Sequence, residues 1–238
     1  MNREYHKWYS PALHRDMEML VFGHGGTPVL VFPTSMGRFY EYESRGMIDA
    51  IWDRYEYGAV QAFCVDSVDL ESWYNRHVHP KYRAMRQNDY DNYIVHEVVP
   101  FIKWKNWAPK LISTGCSLGG YQALNFAFRH PDITTGLVSM GGAFDIHRFV
   151  NGYYDENCYF NCPRDYMRNM TDSWFLERIR QQRIVLGTSD WDICRGANYD
   201  MSGILQEKSI PHWLDEWGNH TVHDWPAWQG MAVKHIVP

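Results

Sequence analysis

Apolar positions along the chain fall into two spacings. Short, nearly unbroken apolar runs recur between turn residues: PVLVF at Pro28–Phe32, AVQAFCV at Ala59–Val65, LIS at Leu111–Ser113, ITTGLVSM at Ile133–Met140, RIVLG at Arg183–Gly187 and PHWLDEW at Pro211–Trp217. Runs of this length and composition predict buried strands. Between them, apolar residues return every three or four positions, which predicts helices over Phe39–Trp52, over Asp89–Trp104, from Leu118 to about His130, over 198–209 and over Ala227–His235. Pro100 predicts a kink or a tightened turn in the second of these. Tyr5–Tyr9 and Met17–Phe22 read as an antiparallel edge, joined by a turn containing Pro11. Gly23-His24-Gly25-Gly26-Thr27 reads as the hairpin turn into PVLVF, and His77–Met85 as irregular. There is no internal repeat, low-complexity tract or linker. The alternation predicts a single α/β domain over 1–238, built on a doubly wound, mostly parallel sheet. Asp145–Glu177 alone breaks the pattern. It is rich in Tyr and lacks periodicity until Thr171, so a cap-like insertion is expected at about 145–177, with its aromatics shaping the substrate pocket.

One strand–turn–helix boundary carries chemistry. Gly115-Cys116-Ser117-Leu118-Gly119 fits G-x-S-x-G between an apolar run and a helical pattern, the setting of a nucleophile elbow. A serine on so tight a bend needs neighbours without side chains two residues either side, which Gly115 and Gly119 supply. Ser117 would then stand above the sheet edge at a helix N-terminus, where developing negative charge is favoured. A serine hydroxyl needs a base within reach, and the base an orienting carboxylate. In chain order these should follow the serine as acid, then histidine. Asp190 and Asp192 lie just after RIVLG, and His220 and His223 just after PHWLDEW. The loop Pro33-Thr34-Ser35-Met36-Gly37 leaves a central strand at its C-terminal end, where open α/β sheets bind ligands. The N–H of Ser35 or Met36 could pair with that of Leu118 around an oxyanion. Asp66, Ser67 and Trp73 follow the next strand and could wall the pocket, although helix capping by Ser67 or Asp69 explains the polar pair equally well.

Composition narrows the classes. The net charge is -5, with no basic run, which argues against nucleic acid as a partner. No segment approaches the roughly 18 apolar residues of a membrane span, and the N-terminus has no signal-type core. Five widely spaced cysteines read as reduced thiols in a cytoplasmic protein, and the N-x-T matches at Asn169 and Asn219 then carry no meaning. Neither a metal nor another cofactor is expected. A small molecule is the expected partner, and self-association into a homo-oligomer is compatible with the sequence.

The motif GCSLGG at Gly115–Gly120, the Asp192-Ile193-Cys194 segment after a strand, and His223-Asp224-Trp225-Pro226 with Trp228 resemble the putative-esterase family of α/β-hydrolases, which includes S-formylglutathione hydrolases, feruloyl esterases and mycolyltransferases. The resemblance runs from PVLVF to the C-terminal helix. It implies an α/β-hydrolase fold and a serine esterase. It assigns the histidine to His223 and the acid to Asp192, because apolar residues follow the family's aspartate. It leaves Ser35 and Met36 both open as oxyanion donors beside Leu118. Cys116 next to the serine matches a feature of some members, although a thiol there can also be a small buried hydrophobe. The implied chemistry is cleavage of a carboxylic ester through an acyl-enzyme. Acyl transfer to an alcohol, or a hydrolase fold kept as a binding scaffold, are the rival expectations.

Overall fold

The computed structural model describes residues 1–237. The two N-terminal runs form β1 (Arg3–Ser10) and β2 (Arg15–Phe22), antiparallel from Arg3 opposite Phe22 to Ser10 opposite Arg15. β3 (Thr27–Phe32), β4 (Val60–Val65), β5 (Leu111–Cys116), β6 (Thr134–Met140), β7 (Arg183–Trp191) and β8 (Trp213–Val222) follow. Together the described strands make one eight-stranded sheet in the order β1-β2-β4-β3-β5-β6-β7-β8. It is parallel from β4 through β8, with β1 and β2 forming the antiparallel edge. Every residue of β4 and β5 is buried, as are Pro28–Phe32 of β3. A strand covered on both faces has no polar side to alternate with, which is why these runs are continuously apolar.

Residues 23–27 are not the hairpin turn that local reading suggests, because β4 lies between β2 and β3. The link crosses the end of β4, where the Thr27 N–H donates to Ala59 O at 3.0 Å and Gln61 Nε2 donates to Gly23 O at 3.3 Å. Two apolar runs joined by a Gly-rich turn resemble a hairpin whether or not they pair.

Helices cover both faces. One core holds α4 (Pro80–Tyr93), α5 (Val99–Lys105), α6 (Leu118–Arg129) and α11 (Arg195–Glu207). The other holds α1 (Glu41–Ser44), α2 (Met47–Ala50), α3 (Trp52–Glu56) and α12 (Trp225–His235). The single helix expected over Phe39–Trp52 is thus three short ones, with breaks at Arg45-Gly46 and Ile51. α4 begins well before the expected Asp89. Its buried face includes Arg83, Gln87 and Asp91, so helical spacing is present but written in polar residues. Arg83 Nη1 donates to Phe149 O at 2.7 Å, and Gln87 pairs with Gln122. Before Pro100 the turn widens rather than tightens. Over Ile94–Val98 the N–H of Val99 reaches back five residues to Ile94 O. Proline has no N–H for the usual partner and its ring crowds that carbonyl, so a wider turn accommodates it.

The insertion folds as α7 (His147–Val150), α8 (Glu156–Tyr159), α9 (Pro163–Asn169) and α10 (Ser173–Arg180). Phe160, Tyr166 and Phe175 do not shape the serine's surroundings. They line a cavity of about 630 Å³ with Phe128, Arg129 and Asn88, at the C-terminal end of α6. At 1.5 Å per residue that is roughly 16 Å from the Ser117 end of the helix. Among the described residues, no helix is long and apolar enough to cross a membrane.

Candidate active site

Ser117 joins β5 to α6 with φ 57° and ψ −118°. Such a backbone costs an ordinary residue of order 1–3 kcal/mol and persists only where its surroundings hold it. Here the Ser117 N–H donates to Met140 O at 2.8 Å, and Ser117 O accepts from the N–H groups of Ala143 and Tyr121, each at 3.2 Å. A Cβ on Gly115 would overlap the carbonyl of Gly119, and one on Gly119 would overlap the carbonyls of Phe32 and Pro33. The two glycines therefore let strand, helix and the end of β3 meet under the serine.

Ser117, His223 and Asp192 come together above the sheet edge. His223 Nε2 lies 3.0 Å from Ser117 Oγ, and His223 Nδ1 lies 2.6 Å from Asp192 Oδ1. With Nδ1–H donating to the carboxylate, Nε2 is left to accept from the serine hydroxyl. Asp192 also accepts from the Cys194 N–H at 2.7 Å and from Thr188 Oγ1 at 2.9 Å. Burial pushes this carboxyl up, but the bonds from His223, Cys194 and Thr188 outweigh it, and its pKa falls below the usual aspartate value. Trp228 meets the imidazole edge-on, with centroids 4.9 Å apart. Gly141, at φ 60°, passes so close that a Cβ would sit 2.8 Å from Nδ1. Thr188 and Gly141 escaped sequence reading, since nothing local marks either. Asp190 and His220 lie elsewhere, on the β7–β8 ribbon: the His220 N–H donates to Asp190 Oδ2 at 2.9 Å, and the His220 ring packs on Trp191.

The loop after β3 has four amides, and three are engaged. Thr34 N–H donates to Glu41 Oε2 at 2.8 Å, Met36 N–H to Asp69 Oδ2 at 2.9 Å, and Gly37 N–H to Thr34 O at 2.9 Å. Ser35 N–H meets no acceptor among the described residues, and neither does Leu118 N–H at the start of α6. Of the two amides expected to face an oxyanion from this loop, that of Met36 is engaged by Asp69 and that of Ser35 is not.

Trp73, Cys116 and Ser67, each singled out in the sequence, make contacts of other kinds. Trp73 does not wall a pocket: it is fully buried, stacked on Phe149 at 5.9 Å and edge-on to Tyr121. Cys116 points into the opposite core, with Sγ 3.3 Å from Tyr42 Oη, and burial pushes its thiol far above the ordinary value. It faces away because side chains alternate along β5. Ser67 is half-buried and donates to Gly37 O at 2.8 Å, tying one loop to the next. Asp145, His147 and Cys162 have potential ligand atoms within 4.8 Å of one another, as do Asp192, Cys194 and His223. In the first group Arg164 already bonds Asp145, and burial pushes the Cys162 thiol up to about 12. In the second, Asp192 is claimed by the three donors above.

A serine raised on a strand–helix elbow at the edge of a doubly wound sheet, facing a histidine from the C-terminal end of the chain, defines an α/β-hydrolase-fold protein. Residues 33–232 match the family described as "Putative esterase", so the chain belongs to that family and is a carboxylesterase-type enzyme. No curated protein matches the chain by sequence. Among solved structures it is similar to a ferulic acid esterase (13% identity, covering 98% of this chain and 96% of that one, TM-score 0.75). It is similar to the S-formylglutathione hydrolase of Agrobacterium tumefaciens (12%, 98% and 92%, TM-score 0.76) and to that of Staphylococcus aureus (13%, 99% and 97%, TM-score 0.69).

Proposed function

We propose that this esterase cleaves carboxylic esters of small molecules through Ser117, His223 and Asp192. The observation that carries the reading is one imidazole held between a hydroxyl and a buried carboxylate, 3.0 Å from the first and 2.6 Å from the second. His223 Nε2 takes the Ser117 proton as Oγ attacks the ester carbonyl carbon. The negative charge moves to the carbonyl oxygen, where the Leu118 and Ser35 N–H groups receive it. As the C–O bond breaks, His223 returns the proton to the departing alcohol and Ser117 is left acylated. A water then gives its proton to His223 and attacks the acyl carbon, and the acid leaves as Ser117 is reprotonated. Asp192 holds the productive tautomer throughout and stabilises the imidazolium. No step requires a metal or other cofactor.

We read the chain as one α/β-hydrolase domain in which α7–α10 form a cap-like insertion. A cytoplasmic location belongs to the same proposal, supported by five cysteines that are all unpaired and buried. The test is turnover of a panel of p-nitrophenyl and aryl esters, with Ser117→Ala as control. The wild type should turn esters over, and Ser117→Ala should lose about a thousandfold or more in rate. Equal rates from the two chains would refute the reading. Product ester formed from an added alcohol, in place of free acid, would redirect it to acyl transfer.

A further inference from the structure

The loop after β4 reaches the loop after β3 through three side chains at alternating depths. Ser67 Oγ donates to Gly37 O at 2.8 Å, Asp69 Oδ2 accepts from the Met36 N–H at 2.9 Å, and Tyr74 Oη donates to Ser35 Oγ at 2.9 Å. From the other side, Glu41 takes both the N–H and the hydroxyl of Thr34, each at 2.8 Å. Of the four amides in this loop, that of Ser35 alone meets no acceptor among the described residues. The sheet order gives these ties a direction. β4 flanks β3 on one side, and β5, which carries Ser117, flanks it on the other. A carboxylate on the β4 loop therefore draws the Met36 amide away from the serine. Met36 sits at φ 59°, a conformation that a methionine adopts only when held. The β4 loop is itself anchored by Trp73, buried and stacked on Phe149. Meanwhile Pro33 O lies against Gly119, so the turn sits directly on the first turn of α6.

We infer that Asp69 and Tyr74 are positioning residues that set the oxyanion loop, with Asp69 holding the Met36 amide and Tyr74 the Ser35 hydroxyl so that the Ser35 N–H alone is presented beside that of Leu118. The inference rests on the esterase reading of Ser117. Asp69 touches neither substrate nor serine, so its effect is felt where the oxyanion exists, in the transition state, and hardly in substrate binding. An asparagine keeps the acceptor oxygen at the same reach; an alanine removes it.

The experiment is steady-state hydrolysis of p-nitrophenyl acetate by the wild type, Asp69→Ala, Asp69→Asn and Tyr74→Phe, with near-UV circular dichroism to score folding. Inhibition by an aryl trifluoromethyl ketone, whose Ser117 adduct carries an oxyanion, supplies the second readout. Asp69→Ala should lose about ten- to a hundredfold in kcat with KM within about threefold, and should bind the ketone more weakly by the same factor as kcat/KM. Asp69→Asn should stay within about threefold of the wild type, and the half-buried Tyr74→Phe should lose about three- to tenfold in kcat alone. A folded Asp69→Ala chain with unchanged kcat, or with lower kcat but unchanged ketone affinity, overturns the inference. If Asp69→Ala does not fold, Tyr74→Phe decides: wild-type kcat and ketone affinity there overturn it. A wild-type chain that turns over no ester and forms no ketone adduct refutes the esterase reading instead, and this inference falls with it.

Discussion

At the level of single residues, two buried aspartates with opposite electrostatics frame the site. Asp192 collects three donors and is held below the usual carboxylate value. Asp69 has only the Met36 amide, with Glu41 and Asp66 nearby. Burial first, and then these two carboxylates, push it up from 3.8 to about 7. Arg38 does not relieve it, being bonded to Asp66 and Glu18, and the other group facing it is the buried Tyr90 hydroxyl. The two groups act on stability in opposite directions. The stabilisation from Asp192 is present above the unfolded value and is lost as pH falls through its lowered folded value. Asp69 binds its proton more tightly when folded, so its contribution is complete below about pH 3.8 and falls away as pH rises to about 7. Asp69→Asn, an isostere of the protonated acid, should therefore gain stability relative to the wild type as pH rises from about 4 to 7. Urea midpoints of the two chains across that range check this; a constant difference contradicts it. Ser117 was legible because G-x-S-x-G carries its own stereochemistry. Asp192 over Asp190, and His223 over His220, needed the resemblance, because both members of each pair follow the same apolar run in the sequence and only long-range packing separates them. Asp69 was read as a possible cap, since nothing local shows that its carboxylate meets an amide 33 residues earlier.

At the level of elements, the buried strands were legible because burial on both faces writes an unbroken apolar run. Elements with polar buried faces were not. α4 hides Arg83, Gln87 and Asp91 inside, where each finds partners, and so its first turns, up to Met85, read as irregular. β8 runs on to Val222 through mostly exposed residues, beyond the expected end of the strand at Trp217. Trp73 shows the reverse error: an aromatic in a strand-end loop looks like a pocket wall until its burial is known. As a core anchor it should cost about 3–5 kcal/mol when replaced by alanine. Chemical denaturation of Trp73→Ala measures this, and a loss under about 1 kcal/mol would mean that the ring is not the anchor described.

At the scale of the whole molecule, the sheet brings together parts of the chain far apart in sequence. Ser117 and His223 are separated by 106 positions, yet they meet because β5 and β8 run parallel in one sheet and release their loops at the same edge. The doubly wound, mostly parallel sheet followed from alternation alone, and the hydrolase fold from the resemblance. The strand order did not, since β4 enters between β2 and β3 and only the sheet shows it. Phe160, Tyr166 and Phe175 of the insertion line a cavity at the far end of α6 from the serine. The most direct test of the central claim is intact-mass spectrometry after exposure to a fluorophosphonate, comparing the wild type with His223→Ala. One adduct per wild-type chain is expected, mapped to Ser117, with labelling slowed by about a hundredfold or more without the imidazole. Equal labelling of both chains, or an adduct on any other residue, would contradict that claim.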